Sequence, residues 1–256
     1  MNYESPVPDV PVIIVRALRK AYGSLVAVDG IDLRVERGEI FGLLGHNGAG
    51  KSTTVECLVG TKRPDGGTVM VLGMNPRDDR KRLFERVGVQ FQTTRYQEKL
   101  LVREACGTFA RLYARDSDWR VSMRRFRLEG VADSYCNELS GGERQKLAVL
   151  LALMHEPELL FLDELTTGLD PAARREIWRF LGELKERGVT IVLTSHYMDE
   201  VEYLCDRVAI MSRGRIVLEG SPGDLVAEYG AKNLEDVFLR VAGAEGAAPE
   251  VGEAVC

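Results

Sequence analysis

Apolar residues along the chain fall into two kinds of segment, and their order predicts the architecture. β-Branched and apolar runs at residues 12–15, 31–35 and 40–44, separated by glycine and charge, predict strands in a strand-rich N-terminal part. From Lys51 onward, short apolar runs at 87–91, 159–162 and 190–193 predict buried strands. They alternate with segments of helical periodicity, notably 142–154 and 172–187, the mark of a parallel sheet with crossover helices. About 65 residues with helical spacing lie between the runs at 87 and 159, more than a simple crossover needs. A helical subdomain is therefore expected to be inserted there, at about residues 93–140. Residues 208–211 and 216–218, joined through Gly214, predict a hairpin, and 222–229 and 234–241 predict two closing helices. The stretch after 241 is small, Gly-rich and acidic, so residues 242–256 are expected to be a disordered tail. Two Arg-rich stretches, 77–86 and 111–127, interleave acids with bases and read as solvated helix faces.

At 256 residues, 45% apolar and 29% charged, with 26 Gly and 9 Pro, the chain is neither disordered, collagenous nor disulfide-stapled. A net charge of -5 argues against a duplex nucleic-acid partner, whose binders carry a basic footprint, and none is expected. The longest apolar run, residues 147–154, falls far short of the roughly 20 residues a spanning helix needs. The N-terminus lacks a basic start and carries Glu4 and Asp9, so it does not read as a signal peptide, and a cytoplasmic location is expected. Cys57, Cys106, Cys136, Cys205 and Cys256 are widely separated and form no CxxC pair, as expected of reduced, structurally incidental thiols.

Three motifs carry chemistry. Gly45, His46, Asn47, Gly48, Ala49, Gly50, Lys51 and Ser52 fit GxxxxGK[ST], followed by Thr53, between a buried strand and a helix that begins near Lys51. Glycines let backbone N–H groups turn inward, the helix N-terminus adds positive potential, Lys51 reaches β- and γ-phosphates and Ser52 is suited to magnesium. The run at 159–162 ends in Asp163 and Glu164, at the sheet edge where open α/β sheets bind ligands. Asp163 suits the magnesium shell, and Glu164 is suited to polarise a water for in-line attack on phosphorus. Finally, Ser140, Gly141, Gly142 and Glu143 open a helix with an N-cap and bare N–H groups. That is either a capped helix alone or a second anion site without a lysine; two anion sites for one nucleotide suggest a head-to-tail dimer in which each copy completes the other's site.

Together GHNGAGKST, LSGGE, LLFLDE, TTGLD and the TSH at Thr194, Ser195 and His196 resemble, in order and spacing, the ATP-binding subunit of ABC (ATP-binding cassette) transporters. The resemblance runs from about Ile13 to Val241. It implies an α/β fold, a P-loop NTPase of ABC type, with a mixed sheet core, an N-terminal antiparallel β subdomain and an inserted helical subdomain within an ATPase domain at 1–241. It implies ATP and Mg2+ as ligands, Tyr22 stacking on adenine, and Gln92 joining magnesium and the attacking water to a membrane partner, with Gln90 as the alternative glutamine. Asp170 matches the residue that communicates between the two sites, and His196 matches the histidine that contacts the γ-phosphate. His46 and His155 have no such counterpart and read as bystanders.

The chain departs from the common pattern at Leu165, where proline often follows the glutamate, and at His46, where proline is frequent. Residues 92–104 and 234–240 are similar to the ABC-2 exporter group, which includes drug-resistance exporters. The resemblance therefore implies an ATPase that drives a separate permease, peripheral on the cytoplasmic face, for export of a drug, lipid or other small hydrophobic cargo. A second subunit, the same chain or a paralogue, completes the dimer. The alternative is a non-transport ABC ATPase of the iron-sulfur assembly type.

Overall fold

The computed structural model describes residues 10–91, 96–112 and 118–244. The chain begins with β1 (Ile13–Tyr22), β2 (Leu25–Val35) and β3 (Ile40–Leu44), then helix α1 (Lys51–Leu58), β4 (Gly66–Val71), the short α2 (Arg80–Phe84) and β5 (Val87–Gln90). Two helices follow, α3 (Val102–Leu112) and α4 (Trp119–Arg125), before α5 (Gly141–Leu153), β6 (Leu159–Asp163), α6 (Pro171–Glu186) and β7 (Thr190–Ser195). The last elements are α7 (Met198–Leu204), the hairpin of β8 (Arg207–Ser212) and β9 (Arg215–Gly220), α8 (Pro222–Glu228) and α9 (Leu234–Ala244).

Strands β2-β1-β4 form an antiparallel sheet, and β5-β6-β7-β3-β8-β9 form a second sheet in which only β9 runs antiparallel. Because β3, β6 and β7 are parallel neighbours, the segments that follow them emerge at one sheet edge. Side chains alternate along each strand. On β3, Ile40 and Leu44 enter a core shared with α5 and α6, whereas Phe41 and Leu43 enter one shared with α1 and the antiparallel sheet. On β6, Leu160 and Leu162 face the first core, Leu159 and Phe161 the second. Both faces are covered, which is why these strands read as unbroken apolar runs. Helices α3 and α4 pack through Val102, Ala105, Cys106 and Met123 into the core that holds Leu147 of α5. Among the described residues no helix is long and apolar enough to cross a membrane.

The structure extends or corrects several sequence expectations. Strand β2 starts at Leu25 rather than at 31: Gly30 (φ 71°) is skipped in the pairing between Leu18↔Ile31 and Arg19↔Asp29, a bulge in a continuous strand rather than a break. Strand β5 closes at Gln90, one residue short. Among the described residues, the Arg-rich stretches hold the end of α3 and two short helices, α2 of five residues and α4 of seven, with Leu83 and Met123 turned inward while the arginines of α4 stay at the surface. Strand β4 and helix α7 were not foreseen. The tail beyond Ala244 lies outside the described residues, as do 1–9, and α9 takes in the first residues of the stretch expected to be tail.

Candidate functional site

The loop from Gly45 to Gly50 leaves β3 and enters α1 with no room for larger residues at two places. A Cβ on Gly45 would stand 2.6 Å from the Met211 carbonyl oxygen, and one on Gly50 would stand 2.4 Å from that of Ala27, where φ is 105°. Gly50 is the N-cap of α1 and offers no side chain, so the first N–H groups of the helix have no side-chain cap. The β8–β9 turn braces the loop from outside, Gly214 N–H donating to the Ala49 carbonyl at 3.0 Å. Lys51 is 4% exposed and folds back along the loop, donating to the carbonyls of Gly45 (2.8 Å) and His46 (3.2 Å). Burial pulls its ammonium down from the usual lysine range, and Glu164 and then Asp163 oppose that shift. A cleft of about 340 Å³ runs from Tyr22 and Leu25 past the loop to Ser52, Thr53 and Glu164.

The carboxylates arrive on β6. Asp163, at its last position, accepts from Ser52 Oγ at 3.1 Å and from Thr194 Oγ1 at 2.5 Å. Glu164 is 8% exposed and has left-handed backbone (φ 50°), a conformation that costs a non-glycine residue on the order of 1–2 kcal/mol and needs support from its surroundings. The support comes from β7: the Glu164 N–H donates to Thr194 Oγ1 (3.0 Å) and to the Thr194 carbonyl (3.2 Å). So held, the side chain places Oε1 3.6 Å from Lys51 Nζ and 3.6 Å from His196 Nδ1. The structure thus brings together Lys51, Ser52, Asp163, Glu164 and His196 from three strand ends.

Other expected residues sit further out. Tyr22, 42% exposed at the end of β1, has Lys20 and Lys62 ammonium groups 5.4 and 5.9 Å from its ring centre. Ser140 caps α5 in a capping box: its Oγ accepts from Glu143 N–H (3.3 Å), while the Glu143 carboxylate accepts from Ser140 N–H (2.9 Å) and Oγ (2.6 Å). Those bonds hold the Glu143 carboxyl below the usual range. Asp170 caps α6, accepting from Ala172 and Ala173 N–H at 2.9 and 3.0 Å, which lowers its carboxyl likewise. Gly142 would contact Ala173 through a Cβ at 3.6 Å, so the two helix N-termini lie side by side. None of Ser140, Gly141, Gly142 and Asp170 lines the cleft at Lys51.

Residues 28–167 match the ABC transporter family, more than half the chain. The chain belongs to the ABC transporter family. It is 39% identical over 244 residues to "Probable multidrug ABC transporter ATP-binding protein YbhF" of Escherichia coli, an alignment covering 91% of this chain and 42% of that protein. It is 43% identical over 225 residues to Nod factor export ATP-binding protein I of Mesorhizobium japonicum, covering 86% of this chain and 66% of that protein. The ABC chain therefore spans less than two thirds of the length of these relatives. A solved ATP-binding subunit of an ABC transporter superposes with a TM-score of 0.82 at 27% identity, covering 90% of this chain and 99% of that one.

As an ABC cassette the chain accommodates its two departures simply. Leu165 is 3% exposed and joins the core that also contains Leu162 and Leu169, so packing holds the segment where the family often has proline. His46 is exposed and turns its Nδ1 to the Asn47 carbonyl at 2.7 Å, leaving its side chain apart from Lys51 Nζ, which meets only its backbone oxygen. His155 is buried and its Nε2 meets the Val87 carbonyl at 3.1 Å, a packing role. Gln92 lies outside the described residues; Gln90 is buried, its Nε2 donating to the Phe91 carbonyl at 2.7 Å. Sequence reasoning gave no role to Thr194, Asp65 or Glu200. Asp65 fixes the chain at Tyr22, accepting from Ala21 N–H at 2.7 Å and Lys20 Nζ at 3.0 Å. Glu200 follows an apolar stripe with Val201 and Leu204 on one face of α7, the signal that would have marked it as buried.

Proposed function

We propose that this chain is the ATP-hydrolysing subunit of an ABC exporter, closing as a head-to-tail dimer over two nucleotides and driving a separate membrane permease. The observation that carries the reading is the convergence of Lys51, Ser52, Asp163 and Glu164 at adjoining strand ends. In this reading Gly45, His46, Asn47, Gly48, Ala49, Gly50, Lys51, Ser52 and Thr53 cradle the phosphates, with Tyr22 stacked on adenine. Water oxygen bonds to the γ-phosphorus as the bond to the ADP oxygen breaks, and Glu164 takes the water's proton while His196 contacts the γ-phosphate. Ser52 Oγ and Asp163 Oδ1, 3.1 Å apart, are hard oxygen donors of the kind that hold Mg2+ together with substrate phosphates and water, and Gln92 would join them. Held by Ser52 and Asp163, Mg2+ would supply positive charge to offset that on the phosphate oxygens. Among the described residues no cluster of three or more His, Cys, Asp or Glu is placed to hold a metal.

Ser140, Gly141 and Gly142 of a second subunit, the same chain or a paralogue, complete each site, and Asp170 couples the two. The separation of these residues from the Lys51 cleft supports an arrangement in which a partner supplies them. Helices α3 and α4, inserted between β5 and α5, receive the permease, which holds the ATPase at the cytoplasmic face. The names of the multidrug and Nod factor export relatives support export over the non-transport alternative. The test is affinity capture of the full chain from detergent-solubilised membranes, with and without ATP. A polytopic membrane protein is expected to accompany it; repeated recovery of soluble partners alone would overturn the transporter reading.

A further inference from the structure

Two ties fix the loop that carries Glu164 to the end of β7. The first is Thr194, which bonds Asp163 and the Glu164 N–H. The second lies deeper. Glu200 of α7 is 3% exposed, and its carboxylate takes three side-chain donors from three different segments. Thr166 Oγ1 donates to Oε1 at 2.8 Å, Trp178 Nε1 of α6 to the same oxygen at 3.1 Å, and Ser195 Oγ of β7 to Oε2 at 2.5 Å. Ser195 Oγ in turn accepts from Tyr197 N–H at 3.0 Å, which fixes the turn on the far side of His196.

The placement of these partners is what gives Glu200 a role beyond packing. Thr166 stands two residues after Glu164, and Ser195 stands immediately before His196. One carboxylate therefore spans the two segments whose side chains meet at 3.6 Å in the site. A left-handed glutamate persists only where its surroundings over-determine it, and residues 163–166 are held at the front by Thr194 and at the back by Glu200. Hydrogen bonds to a buried carboxylate are short and directional, so they set position more sharply than apolar contact does. Burial pushes the Glu200 carboxyl up, while the three donors and Arg174 of α6 oppose that shift; the Cys205 thiol also feels its charge.

We propose that Glu200 is a positioning residue for ATP hydrolysis: through Thr166 and Ser195 its buried carboxylate clamps the Glu164 loop against the strand end that carries His196. The inference rests on the proposed ATPase reading and adds a residue to it. Glu200 touches no reacting atom in this scheme.

The test measures steady-state ATP hydrolysis and thermal unfolding of the full chain, wild type against three single substitutions. Thr166→Val removes the loop's hydroxyl and leaves Glu200 its other two partners; kcat is expected to fall about 10- to 100-fold, the usual cost of misplacing a reacting group by about 1 Å. KM for ATP is expected to stay within about two-fold, since Lys51 and the phosphate loop are untouched. Trp178→Phe cuts a bond to the same carboxylate that does not lead to the site; it is expected to lower Tm with kcat unchanged. Glu200→Gln keeps an acceptor for Thr166 and Trp178 and presents an N–H to Ser195 Oγ, so kcat is expected to remain within about three-fold of wild type. If Thr166→Val and Trp178→Phe lose kcat alike, or neither does, Glu200 is structural and the inference is overturned while the ATPase reading stands. If the wild-type chain hydrolyses no ATP, the ATPase reading fails and the inference falls with it.

Discussion

Replacing Glu164 with Gln should weaken the nucleotide-free protein and should do so through Lys51. The two charges stand 3.6 Å apart with side-chain exposures of 3% and 7%. At an effective dielectric of about 20, Coulomb's law gives roughly 4–5 kcal/mol of attraction at that distance, most of it offset by the cost of burying both ions. Removing one partner of a buried pair costs about 3–5 kcal/mol where the survivor is left with nothing. Lys51 keeps two carbonyl acceptors and the nearby charge of Asp163, so the loss should be smaller, about 1–3 kcal/mol. For a chain of this size that is a drop in Tm of roughly 2–12 °C. Triphosphate supplies Lys51 with a new counter-ion, so saturating Mg-ATP should stabilise Glu164→Gln by more than it stabilises wild type, closing most of the gap. Turnover should fall by a factor on the order of 100 to 10,000, as when a general base is removed. Differential scanning calorimetry with and without Mg-ATP, beside a phosphate-release assay, measures all three effects. Equal Tm values for the two proteins without nucleotide would refute Glu164 as the counter-ion of Lys51, and near-normal turnover would remove it from the chemistry.

Ser140→Ala should cost about 1 kcal/mol through loss of the α5 cap, visible as a Tm lower by roughly 2–4 °C in thermal unfolding. Gly50→Ala should abolish nucleotide binding, measured by titration with a fluorescent ATP analogue, because its Cβ would meet the Ala27 carbonyl at 2.4 Å in a left-handed conformation. Glu158 accepts from Arg86 at 2.7 and 2.9 Å, which holds its carboxyl below the usual range. A lowered folded value means that this bond stabilises above the unfolded carboxylate pKa of about 4.3 and is lost as pH falls through the folded one. The Tm difference between wild type and Glu158→Gln should therefore be present at neutral pH and shrink below about pH 4; with 40% of the side chain exposed it is worth at most about 1 kcal/mol. A difference that grew with acid would contradict the assignment.

What could be read from the sequence is what is written locally. The phosphate loop is a contiguous string whose glycines answer a local steric demand, and β3 and β6 are apolar on both faces because both are covered, so both stood out as unbroken runs. Strand β4 escaped because it opens with Gly66 and Gly67 and exposes alternate residues, leaving few apolar positions to mark it. The ties that orient Glu164 were illegible for another reason. Thr194 and Glu200 are ordinary polar residues in sequence, and their partners on the Glu164 loop lie 30 to 34 positions away, brought near by the parallel pairing of β6 with β7. Among Asp199, Glu200 and Glu202, three acids in one short helix, only the second is buried, a distinction set by the face that α7 turns inward.

The alternation along β3 also bears on how the protein opens. Leu43 and Leu44 are adjacent, fully buried and chemically identical, yet they belong to different cores on opposite sides of the sheet. Truncating one loosens the half built on α1 and the antiparallel sheet, and truncating the other loosens the half built on α5 and α6, so neighbouring residues report on separate cooperative units. In amide hydrogen exchange the central strand, bonded on both sides by β7 and β8, should retain its protons after either half has begun to fray, and the phosphate loop hangs from the end of that slowest-exchanging strand.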